Sequence, residues 1–150
     1  MSDSERLVLE RVEATFNRQR VMETFGVKLL KAEAGLVELG FSHAQALTQQ
    51  HGFLHAGVLT AVVDSACGFA ALSVMPPDAG VLSIEFKMNL LSPARYQRYR
   101  AVGRVVKAGR TVVVCQGEIV TNDETQPPVT VAIMTASMMV VQPRAGEPAP

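Results

Sequence analysis

Residues 53–75 read FLHAGVLTAVVDSACGFAALSVM, and this stretch decides the fold. Asp64 is its only charged residue, and the pair Pro76-Pro77 that follows ends any helix. The stretch is long enough to cross a bilayer, but a carboxylate at its midpoint is costly there and Lys or Arg flanks are missing. We therefore expect a helix over residues 54–75 that is buried on nearly all sides.

Small residues recur along one side of this predicted helix. At steps of three and four they form a stripe of Gly57, Ala61, Asp64, Gly68 and Ala71. Larger apolar side chains occupy the other sides. A stripe of this kind favours close contact with another surface, including a second copy of the chain.

The rest of the chain predicts one more helix and several strands. Apolar residues at helical spacing predict an amphipathic helix over residues 4–16 with Ser4 as its cap. In residues 83–90, apolar side chains alternate with Ser83, Glu85 and other polar ones, which is the period of a strand. Strands are predicted over residues 27–33, 36–41, 81–91, 99–106, 111–121 and 130–141.

The lengths of these elements favour one architecture. A helix of about 20 residues and strands of about ten residues both reach roughly 30 Å. One long helix can therefore lie along one antiparallel sheet. The predicted class is α+β, with a curved antiparallel sheet wrapped around one long central helix.

The composition excludes several classes of protein. The 150 residues, 48% of them hydrophobic, suit one globular domain. Lys+Arg and Asp+Glu number 14 each, which argues against a nucleic-acid binder and a polybasic membrane-surface protein. Cys67 and Cys115 lack the spacing of a disulfide framework or zinc site, which favours a reducing compartment. The charged residues 1–20 lack the apolar core of a signal peptide, so we expect a cytoplasmic location.

Asp64 needs a physical explanation. A carboxylate in a buried helix has to be hydrogen-bonded, paired, or kept neutral by a raised pKa. In a structural role it would be held by Ser65 or Thr60, or it would lie at a polar contact between subunits. In a functional role it would face a cleft as a general base or nucleophile.

The segment before the helix favours the functional role. Residues 49–57 (QQHGFLHAG) place amide and imidazole groups just ahead of the helix start. The first turn of a helix has unpaired N–H groups, so those of Ala56 or Gly57 could stabilise an oxyanion on a carbonyl. Asp64 lies about 12 Å further along a regular helix. This separation suits a two-fold dimer in which each helix start faces the partner's Asp64.

A set of residues with defined spacing carries a family resemblance: Gln49, His55-Ala56-Gly57, Asp64, Ser83 and the segment 89–94 (NLLSPA). The pattern resembles the hotdog-fold acyl-CoA thioesterases, and most of all their phenylacetate-degradation-type branch. The resemblance implies a hotdog domain over residues 22–141, with residues 1–21 as an N-terminal helical extension. It also implies a homodimer or a dimer-of-dimers tetramer with sites shared between subunits. Residues 142–150 are expected to form a disordered tail.

The resemblance implies a role for each residue of the pattern. Asp64 matches the acidic position that activates water or attacks the thioester carbonyl, and Gln49 helps to place water or substrate. His55 matches the motif histidine, and Ser83 a polar residue that assists in some members. Ala56 matches the oxyanion-binding N–H, where most relatives have Gly. Taken singly, His55 could be a helix cap, Gln49 a loop amide and Ser83 an exposed residue on the polar face of its strand.

The basic residues are concentrated in one segment. Residues 86–117 hold seven Lys and Arg and no acidic residue. Such a segment suits an anionic ligand, and Arg95, Lys107 and Arg110 are the candidates for binding the phosphates of CoA. The alternative is that these side chains are solvated on strand edges and turns.

The leading hypothesis is hydrolysis of an acyl-CoA thioester, a reaction that needs no metal or cofactor and no nucleic-acid or membrane partner. A second hypothesis is a non-catalytic acyl-CoA-binding module on the same fold, which would bind CoA esters without turnover. A third is a hydratase or dehydratase, against which the spacing of His55 and Asp64 argues. The sequence leaves the acyl group open.

Overall fold

Six antiparallel strands form one curved sheet, and a long helix lies against its inner face. In the computed structural model, which describes residues 1–146, the strands follow the order β1-β2-β4-β5-β6-β3. The elements are α1 (Asp3–Phe16), α2 (Arg20–Thr24), β1 (Lys28–Glu33), β2 (Leu36–Ser42), α3 (Ala56–Leu72), β3 (Gly80–Leu90), β4 (Arg98–Ala108), β5 (Val112–Thr121) and β6 (Thr130–Val141). The predicted α+β class is confirmed, and every predicted strand is present with ends shifted by at most one or two residues.

Two glycines allow α3 to lie directly against the middle of the sheet. A Cβ at Gly103 in β4 would lie 2.3 Å from the Ala66 carbonyl, and one at Gly117 in β5 would lie 2.6 Å from Val63 Cγ2. Any larger residue at these positions would have to displace its neighbours. The close approach leaves Val63, Ala66 and Cys67 fully buried between the helix and the concave face of the sheet.

The central helix is shorter and less enclosed than predicted. It spans Ala56–Leu72 rather than residues 54–75, since His55 caps its start. The expectation of burial on nearly all sides is wrong along one stripe, because the sheet curves around only part of the helix. We call this the open stripe; its members are the exposed Gly57 and the half-buried Ala61, Asp64 and Gly68.

The N-terminal extension packs over the far end of α3. Its helix α1 is capped by Ser2 rather than by the predicted Ser4, because Ser2 and Glu5 form a capping box at the helix start. Phe16 lies edge-on to Phe69 of α3, with ring centroids 6.0 Å apart. The short helix α2 that follows has no counterpart among the predicted elements.

Arg11 of α1 ties this extension to the loop that follows α3. Its guanidinium donates to the carbonyl oxygens of Met75, Pro76 and Ala79 at 2.8, 2.7 and 2.8 Å. This loop leads into β3, so α1 helps to hold the beginning of that strand.

Two other expectations concern the end of the chain and the membrane. The predicted tail, residues 142–150, reaches beyond the described residues, because residues 147–150 lie outside them. Within residues 1–146, no helix combines the length and the apolarity needed to cross a bilayer.

Candidate active site

Asp64 lies on the open stripe, where its carboxylate has one side-chain hydrogen-bond partner among residues 1–146. Ser83 Oγ of β3 donates a hydrogen bond to Asp64 Oδ1 at 2.8 Å. Partial burial raises the pKa of Asp64 above the usual aspartate value, and the Ser83 hydrogen bond opposes this effect. None of the ion pairs formed by the described residues includes Asp64. Asp64 is therefore a carboxyl group of increased basicity, which suits proton transfer.

The residues suggested as structural partners of Asp64 are engaged elsewhere or make no hydrogen bond to it. Thr60 Oγ1 donates to the Ala56 carbonyl at 2.8 Å, inside the helix. Ser65 is buried and, in the described part of the chain, shows no side-chain hydrogen bond to Asp64. The hydroxyl that holds the carboxylate comes instead from a different element, β3.

A β-bulge turns Ser83 towards the helix. The register of β3 against β6 shifts between Ser83 and Glu85, so that Ser83 pairs with Met138 and Phe86 with Ala136. Both β6 residues are buried in the core, and paired residues share a face of the sheet. Ser83 is exposed, as the alternative interpretation expected, but this register places it on the face of Met138 and not on the face of Glu85. A bulge beside a candidate active site is a recurrent device for aiming a side chain.

The start of α3 has one free backbone donor. His55 is the N-cap residue, and its Nδ1 accepts a hydrogen bond from the Gly57 N–H at 2.8 Å. The Ala56 N–H has no acceptor among the described residues. Of the two predicted oxyanion donors, Ala56 is thus the available one, and the observed position of His55 is that of a helix cap.

Gln49 belongs to a tight loop in front of α3. Its backbone N–H donates to the Phe53 carbonyl at 2.8 Å, and its side-chain Oε1 accepts from the His51 N–H. Gly52 adopts a φ of 82° in this loop, a conformation that favours glycine. Gln49 and Ala56 share an open cavity of about 400 Å³. The large apolar residues that line it are Phe53, Leu54, Leu59, Leu90 and Leu91.

Within one protomer, the two halves of the predicted site lie in different cavities. Asp64 and Ser83 line a small cavity of about 80 Å³, whereas Gln49 and Ala56 line the larger cavity at the helix start. The rise from Ala56 to Asp64 along α3 is about 12 Å. The donor and the carboxylate are therefore too far apart to act on one carbonyl group within a protomer.

Gln19 lines the same small cavity as Asp64, although it is absent from the predicted site. Its side-chain Oε1 is buried and has no hydrogen-bond partner among the described residues. No pattern in the sequence marks this residue. It follows α1 in a turn, and only the packing of the extension against α3 places it beside the carboxylate.

The basic segment does not form one cluster. Arg95 lies over the Tyr96 ring, with its guanidinium carbon 5.9 Å from the ring centroid. With Arg98 it lines a cavity of about 420 Å³. Lys107 and Arg110 lie at and just beyond the opposite end of β4, roughly 30 Å from Arg98 along the strand. The three predicted CoA-binding residues therefore do not share one surface of a protomer.

One antiparallel sheet of six strands that curves around a single long helix is the architecture of a hotdog-fold protein. A sequence model of the thioesterase superfamily matches residues 51–128, a range that contains α3 and β3. The chain belongs to this family, and the predicted family resemblance is confirmed.

Known proteins agree with this assignment. A thioesterase family protein from Silicibacter pomeroyi is 42% identical, with a TM-score of 0.87 over 91% of this chain and 99% of that chain. A curated relative from Halobacterium salinarum, named as a presumptive esterase, is 30% identical over 127 residues, 80% of this chain and 83% of its own length. The PaaI protein from the phenylacetic acid degradation operon of E. coli has a TM-score of 0.82 at 17% identity, over 91% of this chain and 95% of that chain, which shows a shared fold. Family and relatives support thioester hydrolysis as the general reaction.

Proposed function

We propose that this protein hydrolyses an acyl-CoA thioester to a carboxylic acid and CoA, with Asp64 as the general base or nucleophile. The observation that carries the proposal is the Asp64 carboxylate itself. It is half-buried on the open stripe, its hydroxyl partner is Ser83, and burial raises its pKa. Such a group takes up a proton more readily than a solvated aspartate does.

The proposed reaction uses the start of α3 to stabilise negative charge. The thioester carbonyl oxygen accepts a hydrogen bond from the Ala56 N–H, at the positive end of the helix dipole. Gln49, whose Oε1 is held by the loop, offers its Nε2 group to substrate or water. His55 keeps the first turn in place as its cap, and Ser83 orients Asp64.

Asp64 supplies the remaining chemistry by one of two routes. As a general base, it takes a proton from water while the water oxygen bonds to the carbonyl carbon. As a nucleophile, its own oxygen forms that bond, and water then hydrolyses the resulting anhydride. In both routes the C–S bond breaks and the CoA thiolate takes up a proton.

The proposed site is completed by a second copy of the chain. β3 is an edge strand of the sheet and leaves one row of backbone groups unpaired. Its large apolar side chains are exposed: Leu82 at 64%, Ile84 at 50%, Phe86 at 47% and Leu90 at 53%. A long apolar edge of this kind is a surface for pairing with another chain. Two copies paired through β3 would bring the open stripes together, so that each helix start meets the partner's Asp64.

The dimer is tested by a charge on the β3 edge. The wild-type protein is expected to form a dimer, or a tetramer of two dimers, in light scattering at micromolar concentration. Ile84→Lys is expected to yield an inactive monomer. The matched control is Leu30→Lys in β1, which is equally exposed at 50% but lies on the opposite edge of the sheet. A fully active wild-type monomer contradicts the shared site.

Arg95 is the basic residue best placed to hold the CoA end. Its cavity adjoins the cavity at the helix start, because the latter is lined by Ala94, the residue directly before Arg95. The Ala94 carbonyl accepts a hydrogen bond from the Leu54 N–H at 3.0 Å, which ties this segment to the loop before α3. We extend the proposal to Arg98, which lines the same cavity as Arg95. Lys107 and Arg110 would reach this CoA only from the other protomer.

The proposed function is tested with a panel of short-chain, medium-chain and aryl acyl-CoA esters, with detection of the released thiol. Asp64→Asn is expected to lower kcat by about 10²–10⁴, the usual contribution of a positioned acid or base. The exposed Asp78 offers the matched control, and Asp78→Asn is expected to leave turnover unchanged. Tight binding of CoA esters without turnover by the wild type would support the binding-module hypothesis instead.

A further inference from the structure

Gly68 lies inside α3, one turn beyond Asp64, although the packing of one protomer does not require a glycine there. Its φ is not positive, and a Cβ at this position would meet no atom within 4 Å apart from the adjacent backbone of its own helix. Gly103 and Gly117 differ in this respect, because a Cβ at either of them would clash with α3. A glycine inside a helix lowers stability relative to alanine, so its presence at position 68 calls for another explanation.

The space that Gly68 leaves open lies beside the Asp64 carboxylate. Residues four apart lie on the same face of a helix, and a helical side chain leans towards the preceding turn, which for position 68 is the turn of Asp64. Both residues are half-buried and line the same cavity of about 80 Å³. Phe69 and Val81 are the large apolar residues of its lining. A group bound at Asp64 can therefore extend over Gly68 and contact apolar residues.

In the proposed dimer this space lies on the outer side of Asp64. Each helix start faces the partner's Asp64, so the two-fold axis passes midway between residues 56 and 64. Gly68 is about 6 Å farther from this axis than Asp64. The partner's α3 begins opposite Asp64 and runs back towards the axis. It therefore does not cover Gly68, and packing of helix against helix does not fill the space.

The two arms of a thioester leave its carbonyl group in different directions. The sulfur and the acyl carbon are bonded to opposite sides of the carbonyl carbon, whose oxygen accepts the hydrogen bond from the Ala56 N–H in the proposed reaction. The CoA arm leads to the cavity of Arg95, which adjoins the cavity at the helix start. The acyl arm then needs a path of its own away from Asp64. Towards the axis lies the second site of the dimer, whereas the outward direction leads over Gly68.

We propose that Gly68 determines the acyl specificity of this protein: the space over it admits an apolar acyl group larger than acetyl. This inference rests on the function proposed above. Gly68 acts through its missing side chain, which leaves room for the acyl group beside the carboxylate. Such a group removes its own apolar surface and that of Phe69 and Val81 from water, whereas an acetyl group is too short to do so.

The test measures kcat/KM for acetyl-, octanoyl- and benzoyl-CoA in the thiol-release assay. The wild type is expected to favour the two larger esters by at least about tenfold. Gly68→Val fills the space and is expected to lower kcat/KM for the larger esters by at least about tenfold, whereas acetyl-CoA loses at most about threefold. Gly68→Ala is expected to change this ratio in the same direction by a smaller factor. Its Tm is expected to rise by about 2–4 °C, because alanine favours the helix and its Cβ meets no other element.

Ala14→Val is the matched control. It makes the change from alanine to valine at an exposed position of α1, and it is expected to leave the ratio between the esters unchanged. The same step at position 68, from Gly68→Ala to Gly68→Val, is expected to alter that ratio.

The outcomes separate this inference from the function on which it rests. An active wild type that prefers acetyl-CoA overturns the role of Gly68 alone. An equal loss on all three esters in Gly68→Val also overturns it, because the new side chain would then disturb Asp64 rather than the acyl group. An unchanged ratio between the esters has the same consequence. If Gly68→Val does not fold, the ratio measured for Gly68→Ala decides. A wild type without turnover on any thioester rejects the proposed function and this role with it.

Discussion

Replacing Gly103 with alanine places a methyl group against the backbone of α3. The new Cβ would lie 2.3 Å from both the carbonyl carbon and the carbonyl oxygen of Ala66, whereas ordinary contact begins at 3.4 Å. The separation between β4 and α3 therefore has to open by about 1 Å, and no side-chain rotation can relieve a clash with backbone atoms. Gly103→Ala is thus expected to shift the central helix.

The size of the effect follows from this displacement. Overpacking a core costs about 1–3 kcal/mol. In a chain of this length each kcal/mol corresponds to about 2–4 °C, so Tm is expected to fall by roughly 2–12 °C. Ala66 is two residues from Asp64, and the carboxylate moves with it away from Ser83. A misplacement of about 1 Å can lower kcat by about 100-fold.

The assay pairs thermal unfolding with thiol release, and Gly40→Ala is the matched control. The three atoms nearest to a Cβ at Gly40 in β2 all belong to the side chain of the exposed Leu30, at 3.0–3.2 Å, and this side chain can move aside. We expect this variant to remain within about 0.5 kcal/mol of the wild type. If Gly103→Ala and Gly40→Ala unfold at the same temperature and turn over at the same rate, the reasoning that Gly103 sets the position of α3 is refuted.

Three further predictions concern charged residues. Because the pKa of Asp64 is raised in the native state, its ionised form lowers stability at neutral pH, and this penalty is lost as the pH falls through that pKa towards the unfolded value of about 3.9. Asp64→Asn is therefore expected to be at least as stable as the wild type at pH 7. In denaturant titrations, the difference between the two unfolding free energies should narrow towards pH 4. A difference that widens towards pH 4 would contradict the raised pKa. Arg11→Met removes three hydrogen bonds to backbone carbonyls and is expected to cost about 1.5–3 kcal/mol of unfolding free energy, whereas Arg6→Met, which loses only surface ion pairs, should cost below about 1 kcal/mol. Arg95→Ala is expected to raise KM for acyl-CoA roughly tenfold, about 1.4 kcal/mol, without lowering kcat; a lower kcat at unchanged KM would place Arg95 outside the CoA end.

The sequence predicts the architecture well because periodicity reports directly on burial. The alternation of β3 and the apolar stretch around Asp64 are strong signals, and both elements are present. The exact ends of helices and strands depend on local hydrogen bonds, which the sequence indicates less clearly than burial. The start of α1 is an example: Ser4 is the predicted cap, whereas the capping box of Ser2 with Glu5 begins the helix at Asp3.

The candidate site is harder to predict from the sequence, because its geometry depends on contacts between residues that are far apart along the chain. The bulge after Ser83 interrupts the alternation by one residue, and such an insertion leaves no trace in residue types. Gln19 reaches the cavity through the packing of the extension. The basic residues are neighbours in the sequence, but the extended strand β4 separates Arg95 from Lys107 in space, so that they do not form one binding surface.

The exposed apolar residues of β3 suggest that formation of a dimer and completion of the proposed site are one event. Alternation predicts one covered face for this strand, yet Phe86 and Leu90 on that face remain about half exposed because β3 lies at the sheet edge. A second copy paired along β3 would cover this face and in the same event bring a free Ala56 N–H to Asp64. Activity should therefore depend on association: on dilution into the monomeric range, specific activity is expected to fall in parallel with the dimer fraction. A specific activity that stays constant while light scattering shows dissociation would mean that one protomer holds a complete site, and the 12 Å between Ala56 and Asp64 along a regular helix argues against that.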